Sequence, residues 1–180
     1  MPKCRLIFSG SGGQGVITAS IILAEAAVIH EGLNAIQTQS YGPEARGGAT
    51  RADVIIDEDN IYFPRVTQPN VVVSLTQTAY DKYSWITRPG GLLLIDSHYV
   101  KTQRKVDARQ ISLGMYDEVM EKIGKPVVFN ICVLGALIGL TGLVKPESIM
   151  KVLETRITRD YVKMNRQALD IGLLLTESFR

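Results

Sequence analysis

A chain of 180 residues, 46% of them hydrophobic, is long enough for one domain with a proper core and gives no sign of a second. Its formal net charge of +2, with 20 basic residues that form no block, argues against nucleic acid as a partner. Two cysteines, Cys4 and Cys132, are too few for an iron–sulfur cluster or a structural zinc site. Both sit in apolar runs and read as buried free thiols suited to a reducing cytoplasm.

Met1-Pro2-Lys3-Cys4 leads straight into a strand at residues 5–9, so no signal peptide is expected. Gly10-Ser11-Gly12-Gly13-Gln14-Gly15 follows, and residues 16–29 read as a helix. A strand, a glycine turn and a helix N-terminus present free backbone N–H groups and a positive dipole end to an anion. The spacing of Gly10, Gly12 and Gly15 formally satisfies G-x-G-x-x-G. The second strand (34–38), however, ends in Thr38-Gln39-Ser40, without the acid that would bond a dinucleotide ribose. Nor does Gly-Lys-Ser/Thr follow, so this is not a phosphate-binding P-loop.

After the second strand comes Tyr41-Gly42-Pro43-Glu44-Ala45-Arg46-Gly47-Gly48, with a third strand at residues 50–56. Tyr41 offers a stacking face and a hydroxyl, and Arg46 a fork of N–H donors for a phosphate, a carboxylate or a partner chain. An internal Glu44–Arg46 pair in a structural turn accounts for the same residues. Residues 71–75 and 92–95 are short apolar strands of the buried parallel type, separated by a helix at 78–86 that stops at Pro89-Gly90-Gly91. A weaker strand at 107–111 and a short helix at 115–123 follow. Asp96, ending the fifth strand, reads either as a partner for a ligand hydroxyl or as a cap.

Residues 126–144 carry no charge. Gly135 and Gly139 form a Gly-xxx-Gly pair within this stretch, which approaches the length of a membrane span. Val127-Val128 after Pro126 reads as strand-like and Asn130 as an N-cap or a bonded buried amide, so a helix buried in a soluble assembly is the expectation. Helices at 146–155 and 159–177 close the chain. Alternating strands and helices predict an α/β fold, with a mostly parallel sheet covered by helices on both faces and a Rossmann-like glycine loop after strand one. The first helix and the segment after Lys125 are apolar all round, which suggests a subunit, or a large homodimer interface. His30 and His98 are the only histidines, and no catalytic triad or metal-ligand spacing occurs. No catalytic residue is assigned.

Gly12-Gly13-Gln14-Gly15 opening an apolar helix, with Ser40-Tyr41-Gly42-Pro43-Glu44-Ala45-Arg46-Gly47-Gly48 after strand two, resembles the gamma subunit of 2-oxoacid:ferredoxin oxidoreductases. Pro89-Gly90-Gly91-Leu92-Leu93-Leu94-Ile95-Asp96, and Asn130 ahead of Gly135-Ala136-Leu137, are similar too. The resemblance covers nearly all of residues 1–180 as a single gamma-type domain. The wording from Thr38 to Arg46 is most like the 2-oxoglutarate branch. It implies a cytoplasmic hetero-oligomer that decarboxylates a 2-oxoacid on thiamine diphosphate, passes electrons through iron–sulfur clusters to ferredoxin, and forms acyl-coenzyme A. Alpha and beta chains would hold thiamine diphosphate, and beta and delta chains the clusters. Gly12, Gly13, Gln14, Gly15, Tyr41 and Arg46 of this chain would face the coenzyme A side. A scaffold without ligand contact and a stand-alone nucleotide-binding oxidoreductase are the alternatives.

Overall fold

The computed structural model describes residues 3–40, 49–102 and 105–179. Six strands form one sheet: β1 (Cys4–Gly10), β2 (Asn34–Gln39), β3 (Thr50–Asp57), β4 (Val71–Ser74), β5 (Gly91–Asp96) and β6 (Ala108–Leu113), in the order β2-β3-β1-β4-β5-β6. β1, β4, β5 and β6 are parallel neighbours, while β3 runs antiparallel between β1 and β2. The expected mostly parallel sheet is therefore present, and β3 is the one reversed strand.

Alternation along each strand sends side chains to two cores. Leu6 and Phe8 of β1, Val54 of β3, Val73 of β4 and Leu94 of β5 face the larger one. It is covered by α1 (Val16–Glu25), α3 (Met115–Lys122), α4 (Phe129–Thr141), α5 (Pro146–Arg156) and α6 (Arg159–Leu174). Ile7, Ile55, Val72, Leu93 and Ile95 face the smaller core, packed by α2 (Gln77–Tyr83) and the 3₁₀ turn Ser84–Ile86. Thr76 starts α2 by accepting a hydrogen bond from the Ala79 N–H at 3.2 Å.

The uncharged stretch resolves into two pieces. Pro126–Val128 is a 3₁₀ turn, not a strand, and α4 is a 13-residue helix. Pro126 supplies no N–H to a sheet ladder, and its fixed φ suits the first residue of a helical turn. Among the described residues no helix is long and apolar enough to cross a membrane. α4 is wrapped by this chain's own elements. Gly135 meets the Leu169 carbonyl of α6, and Gly172 of α6 meets the Cys132 carbonyl, so the two helix backbones touch. The apolarity of α4 thus needs no second chain, which corrects the burial argument drawn from it. Only Val28 and Ile29, in the π turn Ala26–His30 that extends α1, leave an apolar end of that helix exposed.

Beyond that turn Glu31 caps a different helix. Its carboxylate accepts the Lys145 N–H at 2.9 Å and the Ser148 hydroxyl at 2.6 Å, both at the start of α5. The Ser148 bond comes first in holding the Glu31 carboxyl below its ordinary value near 4.5. A depressed native carboxylate stabilises above its ordinary value, and the benefit disappears as pH falls through the lowered one. Glu31→Gln should therefore flatten the acid limb of a melting-temperature profile below about pH 4.5, and the wild-type advantage above that pH should be small. For so exposed a group the difference is about 0.5 kcal/mol, or about 1–2 °C.

Candidate functional site

β1 and β4 lie side by side and parallel, but their following helices go to opposite faces, α1 to the larger core and α2 to the smaller. This is a topological switch point, where an open α/β sheet leaves a crevice at its carboxyl edge. The glycine loop sits there, and a side chain bridges the crevice. Gln14 Oε1 accepts the Ser11 N–H at 2.8 Å, while its Nε2 donates to the Leu75 carbonyl beyond β4 at 2.9 Å. Gly10 leaves room for this staple, since a Cβ there would lie 2.5 Å from Gln14 Oε1.

The outer side of the loop is open. Gly12 and Gly13 are exposed, and a Cβ on either would meet nothing within 4 Å. Gly15 is the residue preceding α1, at φ 68°, and no side chain caps the helix. The first-turn N–H groups of α1 are therefore left for water or an anion. Behind the loop, Asn130 Nδ2 donates to the Gly15 carbonyl at 3.4 Å. Asn130 is thus the bonded buried amide of the two readings offered for it; Val128 occupies the N-cap of α4.

Of the residues marked in the sequence, Gly12, Gly13, Gln14 and Gly15 form this edge together. Tyr41 and Arg46 lie outside the described residues. Their flanks are fixed beside the loop: Thr50 pairs with Gly10, Ser9 Oγ donates to the Thr50 carbonyl at 2.9 Å, and the Ser40 N–H donates to the Arg51 carbonyl at 3.1 Å. Arg51 is engaged elsewhere, bidentate on Asp53 at 2.6 and 2.8 Å.

Further along the edge, Asp96 proves to be a cap. It is fully buried, and its two oxygens accept the His98 and Tyr116 N–H groups at 3.0 and 2.9 Å. Burial pushes its carboxyl up, and those two bonds oppose the shift. His98 Nδ1 lies 2.7 Å from Asp117, and its ring packs on Tyr99 and Tyr116, which reach Phe129 at the start of α4. Desolvation, reinforced by Tyr116 and the acidic neighbours, pushes the Tyr99 phenol up to about 12. Only the position of His98 after strand five hinted at this cluster. Its other members come from separate elements and share no spacing.

The thiols do not make a metal site. Cys4 and Cys132 are buried and desolvation pushes both up to about 12, which disfavours the thiolate a metal requires. Among the described residues no three His, Cys, Asp or Glu side chains gather as ligands.

Residues 5–175 match the family model described as pyruvate ferredoxin/flavodoxin oxidoreductase. The 2-oxoglutarate synthase subunit KorC of Methanocaldococcus jannaschii is 41% identical over 166 residues, covering 91% of this chain and 89% of that protein. KorC of Archaeoglobus fulgidus is 37% identical over 181 residues, covering 98% and 92%. Among solved structures, the gamma subunit of a keto/oxoacid ferredoxin oxidoreductase from Geobacter sulfurreducens superposes with a TM-score of 0.87 at 38% identity, covering 97% of this chain and 99% of that one. The chain belongs to the pyruvate ferredoxin/flavodoxin oxidoreductase family, as a gamma subunit of the 2-oxoacid:ferredoxin oxidoreductases.

Proposed function

We propose that this gamma subunit serves an enzyme that oxidatively decarboxylates 2-oxoglutarate to its coenzyme A ester, and that its glycine edge helps hold coenzyme A. The substrate follows the relatives named 2-oxoglutarate synthase subunits, four of which match along nine-tenths or more of this chain. Thiamine diphosphate and iron–sulfur clusters supply the decarboxylation and electron transfer from the alpha, beta and delta chains, with ferredoxin as acceptor. The buried cysteines here do not suit a cluster. What supports the ligand reading is the uncapped α1 N-terminus beside Gly12 and Gly13, held open by the Gln14 staple. Such an edge accepts the phosphates or the pantetheine amides of coenzyme A by backbone N–H donation. A dinucleotide fits less well, because Gln14 spans the switch-point crevice and β2 ends without an acid.

The chain also docks on the thiamine-binding subunits in this reading. Val127 and Tyr161 are 72% and 55% exposed beside an apolar groove between α1, α4, α5 and α6. Exposed aliphatic and aromatic residues next to such a groove are the chemistry of a subunit contact. Arg46, which the sequence puts between β2 and β3, separates a ligand role from a purely scaffolding one. In the reconstituted complex, Arg46→Ala should raise KM for coenzyme A by about 10–100-fold, the worth of a charge-assisted hydrogen bond, with subunit stoichiometry unchanged. A complex that fails to assemble would make Arg46 an interface residue, and an unchanged KM would favour the scaffold.

A further inference from the structure

The groove between α1, α4, α5 and α6 carries polar groups that apolar docking alone does not require. Its volume is about 500 Å³, with Ile22, Ile131, Leu153 and Met164 in its wall. Set among them are two amides, Asn130 and Asn165, each only 8% exposed. Each uses its donor on its own chain. Asn130 Nδ2 donates to the Gly15 carbonyl at 3.4 Å, and Asn165 Nδ2 to the Tyr161 carbonyl at 2.9 Å. Among the described residues neither Oδ1 accepts a hydrogen bond, and neither is sealed from the surface. Asn130 also stands where two sites meet. Its Nδ2 would lie 2.7 Å from a Cβ on Gly15, so the amide packs directly on the residue that precedes α1.

An unused acceptor in an apolar wall costs little while water reaches it, and much once a partner covers it. A subunit that docks here must therefore bring a donor to each amide. Among the described residues no carboxylate lines the groove, whereas Arg156 does, bidentate on Glu25. An incoming cation would be buried without a counter-charge, so the matching donors are uncharged N–H groups beside an apolar side chain. A stretch of partner backbone carries both. The 3.4 Å bond to Gly15 is long for an N–H···O contact, and the terminal torsion of an asparagine is broad. An amide that accepts a bond at its oxygen is fixed in that torsion and donates more strongly from its nitrogen. We propose that Asn130 is a positioning residue that links the groove to the glycine edge. A partner N–H bonds its Oδ1, and the amide so fixed holds the Gly15 carbonyl and, with it, the α1 N-terminus that meets coenzyme A. The link rests on the docking and ligand readings above. It makes coenzyme A use depend on docking without any partner atom reaching the loop, while Asn165, bonded within its own helix, serves docking alone.

Asn130→Leu and Asn165→Leu, in complexes reconstituted with saturating partner chains, separate this link from simple packing. Leucine keeps the volume and removes the amide. Asn130→Leu should raise KM for coenzyme A by about 5–10-fold, the effect of one hydrogen bond, with kcat within about 2-fold. Asn165→Leu should leave KM unchanged and weaken binding to the partner chains by a similar factor. Amide hydrogen exchange at residues 12–19 gives a readout independent of activity. It should slow by about 10-fold when the wild-type chain joins the complex. That slowing should persist in Asn165→Leu and be mostly lost in Asn130→Leu. Slowing that persists in full in Asn130→Leu, or none in the wild type, overturns the link. So does an unchanged KM in Asn130→Leu while Arg46→Ala raises it, which would leave Asn130 as a packing residue. If Asn130→Leu and Arg46→Ala both leave KM unchanged, the coenzyme A reading falls, and the exchange comparison alone decides the link. Should Asn130→Leu fail to fold, Asn130→Asp takes its place near pH 8, where a carboxylate keeps the acceptor and lacks the donor. It should lose the slowing too, and an aspartate chain that keeps it overturns the link equally.

Discussion

Gly172→Ala should lower the melting midpoint of the chain by about 6–12 °C, corresponding to about 3 kcal/mol. A Cβ at Gly172 would fall on the Cys132 carbonyl, 2.6 Å from the Ala136 nitrogen and 2.9 Å from the Gly135 Cα. None of these is the far end of a flexible side chain. They are the backbone of α4, so the two helices must separate, and the whole α4–α6 contact loosens. Against this, alanine gains about 1 kcal/mol of helix propensity over glycine. That gain is too small to offset a clash with the backbone of α4, a helix buried on nearly every side. Gly142→Ala is the comparison that isolates the cause. Gly142 has φ 62°, with nothing within 4 Å of a Cβ, so its substitution pays only left-handed strain of about 1–2 kcal/mol. If both variants melt alike, close helix approach is not what Gly172 provides. The pair Gly135→Ala and Gly172→Ala should also be clearly sub-additive, because once either methyl has pushed the helices apart the other finds room.

That contact shows how far the sequence could be read. Gly135 and Gly139 announced a close helix neighbour, but not that the neighbour was α6 of the same chain. Gly172, the other half of the contact, is a lone glycine in a helix rich in polar residues, with no second glycine to mark it. Periodicity located strands and helices well, since strand alternation and helix spacing are local properties of the chain. The strand-like reading of Val127-Val128 failed because the β-branched pair follows a proline at the start of a helical turn. The reversed direction of β3 had no local signature: an antiparallel strand between parallel ones is set by pairing with β1 and β2. At the site, the glycines were legible because a positive φ at Gly15 and close packing at Gly10 demand glycine. Asp96 was ambiguous, since a carboxylate ending a strand serves a ligand or a cap equally. Only the His98 and Tyr116 N–H groups on its two oxygens decide it.

Gln14 carries the largest functional effect expected at the glycine edge, and two replacements separate its geometry from its charge. Gln14→Met keeps the length of the side chain but loses the bonds to the Ser11 N–H and the Leu75 carbonyl. Two lost hydrogen bonds should cost about 2 kcal/mol of stability, or about 4–8 °C, and let the loop leave its open position. Gln14→Glu keeps the acceptor for Ser11 and loses the donor to Leu75. It also places a fixed negative charge at the N-terminus of α1. That charge occupies the field that an anion would use, so the variant should remain folded while KM for coenzyme A in the assembled complex rises by about 30-fold, or about 2 kcal/mol. Under the ligand reading the glutamate therefore harms coenzyme A use more than the methionine does, whereas the methionine harms stability at least as much. A charge-independent rise in KM, equal in both variants, would mean that the loop matters through its shape alone. No rise in either, with the loop demonstrably loosened in a methionine variant that melts early, would remove coenzyme A from this edge and leave Gln14 as a staple of purely structural effect.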